Sequence, residues 1–359
     1  MIGLFCSTGI VNNHKIIIRN WFRSMINILG PENVVVFYNG NSNRFKNLIN
    51  IKETRYECIY VDDGEDWKDY INKCKKIFKK NKIDTLINFR MTMVRTATGD
   101  NYYLYEHFDE LYNNKQYDCG LNYVITKQLL SKYAVLKSAN DLGIKLIQFM
   151  TDPQESNMIK YFNNSGCRAY ILNKTNLDNT YYMPSCEYEY LSNIINIPKE
   201  LDFVFYGTAI TDDRNYLIND IEKLKKINNS DVQVITSVKN GTNKCIPQDK
   251  YLELIAKSKY TLVIPSYDKT TFSSLRFFEA IQRKCLPLIL DTCNLTDIKN
   301  TYPNLYKIIK KYLIVNFDSI NNAIQSLDRE DILNKIYNCK DVKQLQDIDY
   351  CRNAWLNIL

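Results

Sequence analysis

Short runs of apolar, largely β-branched residues alternate along this chain with longer stretches in which apolar positions recur every three to four residues. That alternation is the pattern of parallel strands joined by crossover helices. In the first part, strands are predicted at residues 2–6, 34–38, 58–61, 85–89, 146–150 and 169–172, with helical spacing over 15–29 and 66–80. The stretch 182–200 contains Pro184 and Pro198 and has no clear period, so it reads as a linker. Beyond it the rhythm restarts with strands predicted at 203–206, 232–236, 261–264, 286–290 and 313–317. Two α/β domains of doubly wound type follow, 1–190 and 200–340, with 341–359 as a C-terminal helix packing back on the first. The chain contains no GxGxxG, no P-loop and no repeat of 20 to 50 residues, which disfavours a dehydrogenase or a nucleotide-driven motor. In such sheets ligands bind outside the carboxyl ends of the strands, so chemistry is sought just after each strand.

Composition narrows the function classes. A chain of 359 residues with 45% apolar and 24% charged content supports two ordinary cores and excludes disorder. The net charge of +7 is uneven: residues 1–150 carry 21 Lys+Arg against 15 Asp+Glu, or +6, and the rest 26 against 25, or +1. This excess marks either a solvated basic face or an anionic partner of the first domain. Eleven cysteines without a CxxC pair read as reduced thiols of a cytoplasmic protein. With only His14 and His107 available, a His-based metal site is disfavoured and no metal is expected. The N-terminus MIGLFCSTG lacks a signal-peptide pattern, and no apolar run reaches the ~20 residues of a membrane span, so no membrane partner is expected.

The segment 261–291, TLVIPSYDKTTFSSLRFFEAIQRKCLPLILD, carries the most chemistry. A buried strand leads through a polar loop to a helix with Ser273 or Ser274 as N-cap, and Arg276 and Glu279 share one face at i,i+3. Backbone N–H groups at a helix start favour phosphate, an arginine adds a charged contact, and a carboxylate one turn on can take the hydroxyls of a ribose. The alternative is an ordinary surface Arg–Glu pair.

The run LRFFEAIQRKCLPLIL, 275–290, resembles the donor-site helix of GT-B glycosyltransferases. LDFVFYGTAITDDR, 201–214, and QFMTDP, 148–153, are similar to segments of the DNA β-glucosyltransferases of T-even bacteriophages. The resemblance implies a GT-B fold, two Rossmann-like domains facing a central cleft. It implies an inverting transferase moving glucose from UDP-glucose onto the hydroxymethyl group of a 5-hydroxymethylcytosine-type base in double-stranded phage DNA. It also implies a monomer in the infected host's cytoplasm, with no essential cofactor and a divalent cation at most stimulatory.

Carried over by position, the resemblance makes Asp152 the general base; the alternative for this residue is an N-cap or Asx-turn before Pro153. Arg214 and Arg276 then hold the diphosphate, Glu279 the ribose, and Gly207 and Thr208 the turn that lets backbone approach the donor. It departs at Ile210, where the family has an arginine, at Pro265, near which the family's acidic donor-loop residue falls, and at a sugar-positioning glutamate without a counterpart. Those departures leave the sugar and its linkage open.

His14, in the loop after the first strand, is a rival base or a helix cap. Arg90 and Arg95, after the fourth strand, are placed to meet duplex phosphates. Two other charged stretches read more simply: KCKKIFKKNK, 73–82, as a solvated amphipathic face, and DDGED, 62–66, as a polar turn and helix start. Two other functions compete. One is a GT-B transferase acting on a surface glycan, lipid-linked sugar or protein; the other is a non-catalytic nucleotide-sugar- or DNA-binding protein.

Overall fold

The structure, a computed structural model, describes residues 1–6, 15–38, 49, 51–59, 67–89, 94–95, 101–102, 134–150, 168–171, 180–182, 186–210, 220, 223–224, 231–238, 248–265, 272 and 274–359. The chain divides into two compact units. The first is Met1–Met183 with Trp355–Leu359, and the second is Pro184–Ala354. The first unit carries 24 Lys+Arg against 18 Asp+Glu, or +6, and the second 23 against 22, or +1.

The first unit holds β1 (Ile2–Cys6), α1 (Lys15–Leu29), β2 (Val34–Tyr38), β3 (Arg55–Cys58), α2 (Trp67–Lys80) and β4 (Thr85–Phe89). A two-stranded antiparallel ribbon, β5 (Val94–Arg95) with β6 (Asn101–Tyr102), follows. Next come α3 (134–141), β7 (Lys145–Met150), β8 (Arg168–Ile171) and β9 (Thr180–Tyr182). Seven strands form one sheet in the order β3-β2-β1-β4-β7-β8-β9, every pair parallel. β2 is buried at all five positions, which is why its sequence is an unbroken apolar run rather than an alternation. At Gly3 a Cβ would lie 2.8 Å from both Leu86 and Phe37 side chains, so the neighbouring strands close over a position that only glycine fits.

Both faces of this sheet are covered. On one, Phe5, Val35, Phe37, Leu86 and Leu146 pack with Tyr70, Cys74 and Phe78 of α2 and Ala134, Val135 and Ala139 of α3. Elsewhere Phe149 meets Trp21 of α1 edge-on at 5.9 Å and stacks on Trp355 at 6.5 Å. Lys145 Nζ donates to the carbonyls of Ile358 (2.5 Å) and Leu359 (2.9 Å). Burying Trp355 completely is worth about 4–6 kcal/mol at ~25 cal/mol per Å² before ordering entropy. That burial fastens the chain's last five residues to the first unit.

The second unit begins with α4 (Cys186–Ser192) and continues through β10 (Leu201–Ile210), β11 (Val232–Val238), α5 (Gln248–Lys257), β12 (Ser258–Val263), α6 (Ser274–Gln282) and β13 (Leu286–Leu290). After these come α7 (Thr296–Thr301), α8 (Pro303–Tyr312), β14 (Ile314–Val315) and the helices α9 (Ile320–Ser326), α10 (Arg329–Asn338), α11 (Lys340–Gln346) and α12 (Ile348–Leu356). Its sheet runs β11-β10-β12-β13-β14, all parallel. The stretch 341–359 is thus not one helix. Asp341 in α11 accepts from the backbone N–H groups of Asn304 (2.7 Å) and Leu305 (2.9 Å), capping α8 within the second unit, and only Trp355–Leu359 group with the first.

Two expected elements differ. The third strand lies at Arg55–Cys58, pairing with Val35–Tyr38, rather than at 58–61. It is an edge strand with exposed ends, so no apolar run announces it. The expected linker contains α4, whose Glu187 and Glu189 are buried; charged side chains on its inner face hide the helical period.

Candidate functional site

Strand order reverses direction at one point in each sheet, between β1 and β4 in the first unit and between β10 and β12 in the second. At such a point the connections leave on opposite sides and open a crevice at the strands' carboxyl ends. In the second unit, β10 approaches this edge through Tyr206 and Gly207, where its pairing with β11 shifts register between Gly207 and Ile210. The chain after β12 enters α6 at Ser274, and Arg276 is the third residue of that helix.

The Arg276 guanidinium is clamped from several directions. Its Nη1 donates to Glu279 Oε2 at 3.2 Å, the i,i+3 contact expected from spacing. Its Cζ lies 4.6 Å from the ring centroid of Tyr251, near the start of α5, and 5.8 Å from that of Tyr206. The two tyrosine rings lie 4.6 Å apart, tilted by 33°. Glu279 is completely buried, whereas the Arg276 side chain remains 34% exposed, so of the two partners the carboxylate is the one wholly shut off from solvent. The other Glu279 oxygen accepts from the Tyr190 hydroxyl of α4 at 3.4 Å.

Electrostatics follow from this packing. Burial by itself lowers the Arg276 pKa, but the Tyr251 phenol and the Glu279 carboxylate more than offset it and hold the guanidinium above its ordinary range. Burial pushes the Tyr251 phenol upward, keeping it a neutral hydroxyl beside the cation. The far end of α6 is tied down as well. Tyr337 donates to the Ile281 carbonyl, Lys199 to that of Arg283 at 2.7 Å and Arg329 to that of Lys284 at 2.7 Å. These donors satisfy carbonyls that the helix end leaves open. Burial lowers the Lys199 pKa to about 8.

Of the residues singled out from sequence, the structure brings Arg276 and Glu279 together and sets Gly207 beside Tyr206 in β10. Glu279 acts here as the buried partner of Arg276; contact with a ribose requires it to exchange one of its two partners. Thr208 lies in β10, Ser274 is the first residue of α6 and Arg95 lies in β5. His14, Arg90, Asp152 and Arg214 fall outside the described residues, as does the acidic stretch 62–66. In chain order, residues 7–14 follow β1 and residues 90–93 follow β4, the strands flanking the first unit's reversal, and Asp152 comes two residues after β7, the neighbour of β4. The basic stretch 73–82 lies mainly on α2, with Phe78 in the core, Lys75 paired to Asp141 and Lys80 to Glu57. Among the described residues no group of three or more His, Cys, Asp or Glu side chains is placed to hold a metal ion.

Tyr190, Tyr206 and Tyr251 escaped the sequence reading. Tyr206 precedes Gly207 in a segment already marked as informative; the other two carry no local signal among 27 tyrosines.

No protein-family model and no curated protein sequence matches the chain. Solved structures do. HepE of Anabaena in complex with UDP and glucose superposes with a TM-score of 0.54 at 9% identity, covering 100% of this chain and 99% of that one. A structure described as a UDP-N-acetylglucosamine 2-epimerase of Listeria monocytogenes gives 0.52 at 7% identity, covering 99% and 94%. An O-GlcNAc transferase variant of Thermobaculum terrenum gives 0.51 at 9% identity, covering 100% and 66%. These likenesses concern the fold, and with the two parallel sheets they make it GT-B.

Proposed function

We propose that the protein is an inverting GT-B glycosyltransferase that moves glucose from UDP-glucose to the hydroxymethyl group of a 5-hydroxymethylcytosine-type base in double-stranded DNA. The observation that carries the donor half is the Arg276 guanidinium, fixed by buried Glu279 at the strand-order reversal between β10 and β12. A cation there can hold the diphosphate and stabilise the charge that builds on the leaving UDP. Arg214 joins it; Gly207 and Thr208, near the carboxyl end of β10 where the structure has strand and not the expected turn, and Ser274 at the start of α6 receive the donor; and Glu279 takes the ribose.

In the reaction, Asp152 removes the proton of the acceptor hydroxyl while that oxygen forms a bond to the anomeric carbon. The bond to the UDP oxygen breaks on the opposite face, and the configuration inverts. His14 is the rival base. The DNA half is supported by the +6 charge of the first unit, which suits a polyanionic acceptor, and by two arginines, Arg90, which follows β4 in the chain, and Arg95 in β5. A target base would be flipped from the stack to reach the donor. The setting is the cytoplasm of an infected bacterium, with the enzyme a monomer and a divalent cation at most stimulatory.

The test is UDP release from UDP-glucose in the presence of duplexes containing 5-hydroxymethylcytosine, 5-hydroxymethyluracil or neither. Release stimulated only by a hydroxymethylated duplex supports the proposal. Release stimulated by a glycan extract and by no duplex would replace the acceptor, and absence of UDP binding would remove the donor.

A further inference from the structure

Arg276 is unusual in how little of its restraint is ionic. Nη1 meets Glu279, while the guanidinium carbon lies 4.6 Å from the ring centroid of Tyr251, which also shares a hydrogen bond with it, and Tyr206 lies further along the same tyrosine pair. A single ion pair leaves a long side chain free to rotate about that contact, whereas an aromatic face fixes the plane as well. Tyr251 is 3% exposed and held in the core of the unit; Tyr206 is half-buried on β10. Both rings come from elements other than α6, so they register the guanidinium against the sheet and not merely against its own helix.

Resting on the donor reading above, we infer that Tyr251 and Tyr206 are positioning residues that hold the Arg276 guanidinium plane for the diphosphate of the nucleotide sugar. They act through Arg276 and recognise phosphate rather than base or ribose. The selectivity this gives is for a nucleoside diphosphate over the bare nucleoside, because only the former draws on the oriented cation. Tyr251 meets Arg276 through its hydroxyl as well as its ring, and in this proposal the ring carries the larger share.

The experiment is calorimetric titration of the full chain with UDP and, separately, with uridine. Tyr251→Leu is expected to weaken UDP about tenfold and to leave uridine within about twofold, the size of loss a partly desolvated cation–π contact supports. Tyr251→Phe, which keeps the face, stays within about threefold of wild type for UDP. In an Arg276→Ala background, Tyr251→Leu should have no further effect on UDP, the mark of a residue acting through Arg276. The half-buried Tyr206→Leu provides the same readings with a smaller loss and less risk to folding. Equal loss of UDP and uridine, undiminished loss in the Arg276→Ala background, or a phenylalanine variant as weak as leucine would each overturn the proposal. Wild-type protein that binds no UDP would overturn the donor reading, and this proposal with it.

Discussion

Arg276 and Glu279 share one ion pair, yet cutting it from the two sides is expected to have unequal consequences. Glu279 has no solvent exposure and accepts from only Arg276 at 3.2 Å and Tyr190 at 3.4 Å among the contacts described, whereas Arg276 is 34% exposed. Glu279→Gln leaves a guanidinium whose side chain is a third exposed and an amide oxygen that can still accept from Tyr190, so the cost is one charge-assisted hydrogen bond, about 1.5–3 kcal/mol. Arg276→Met keeps the aliphatic packing but strands a buried carboxylate. Breaking buried pairs this way costs about 3–5 kcal/mol, and here the lower end applies because removing the guanidinium admits some water. All three tryptophans, Trp21, Trp67 and Trp355, belong to the first unit, so emission does not report this site. Native-state hydrogen exchange on peptides spanning 274–290 does. A Glu279→Gln cost equal to or above that of Arg276→Met would refute the reasoning.

Three further outcomes are expected. Asp152→Ala should lower transfer by about 10²–10⁴-fold with UDP affinity retained in calorimetry; unchanged turnover removes Asp152 as the base and leaves His14. Gly3→Ala should destabilise the first unit by about 1–3 kcal/mol in tryptophan-detected urea unfolding, because its Cβ would lie 2.8 Å from both Leu86 and Phe37. Burial pushes the Cys285 thiol from 9.0 up to about 12, so between those values the unfolded chain sheds a proton the folded one keeps, and stability falls with rising pH. Cys285→Ala should flatten that fall by at most about 1.4 kcal/mol per pH unit, read as the difference from wild type in the far-UV circular dichroism urea transition.

Much of the architecture could be read before any coordinates because both faces of the sheets are covered. Strands buried on two sides, such as Val34–Tyr38 and Leu286–Leu290, are continuous apolar runs, and α1 shows its inner face as a regular apolar repeat. Edge strands lack that constraint: β3 is displaced from its expected position and the three-residue β9 was missed, since neither must be apolar throughout. α4 was missed for the opposite reason, with Glu187 and Glu189 turned inward. At the site, Arg276 and Glu279 were legible because their partnership is local, three residues along one helix. Tyr190, Tyr206 and Tyr251 arrive from α4, β10 and α5, 89, 73 and 28 positions from Glu279, and no local pattern encodes such a meeting. The charge asymmetry was legible as arithmetic, and the division at Met183 keeps it intact at +6 and +1.

The central claim, transfer of glucose to a hydroxymethylated base in duplex DNA, is tested most directly by digesting a 5-hydroxymethylcytosine duplex to nucleosides after incubation with the protein and UDP-glucose, and weighing the products. The account predicts that 5-hydroxymethyl-2′-deoxycytidine gains the mass of one hexose less one water, and that the gain is lost with Arg276→Ala. An unmodified nucleoside profile, with UDP-glucose consumed or not, would contradict it.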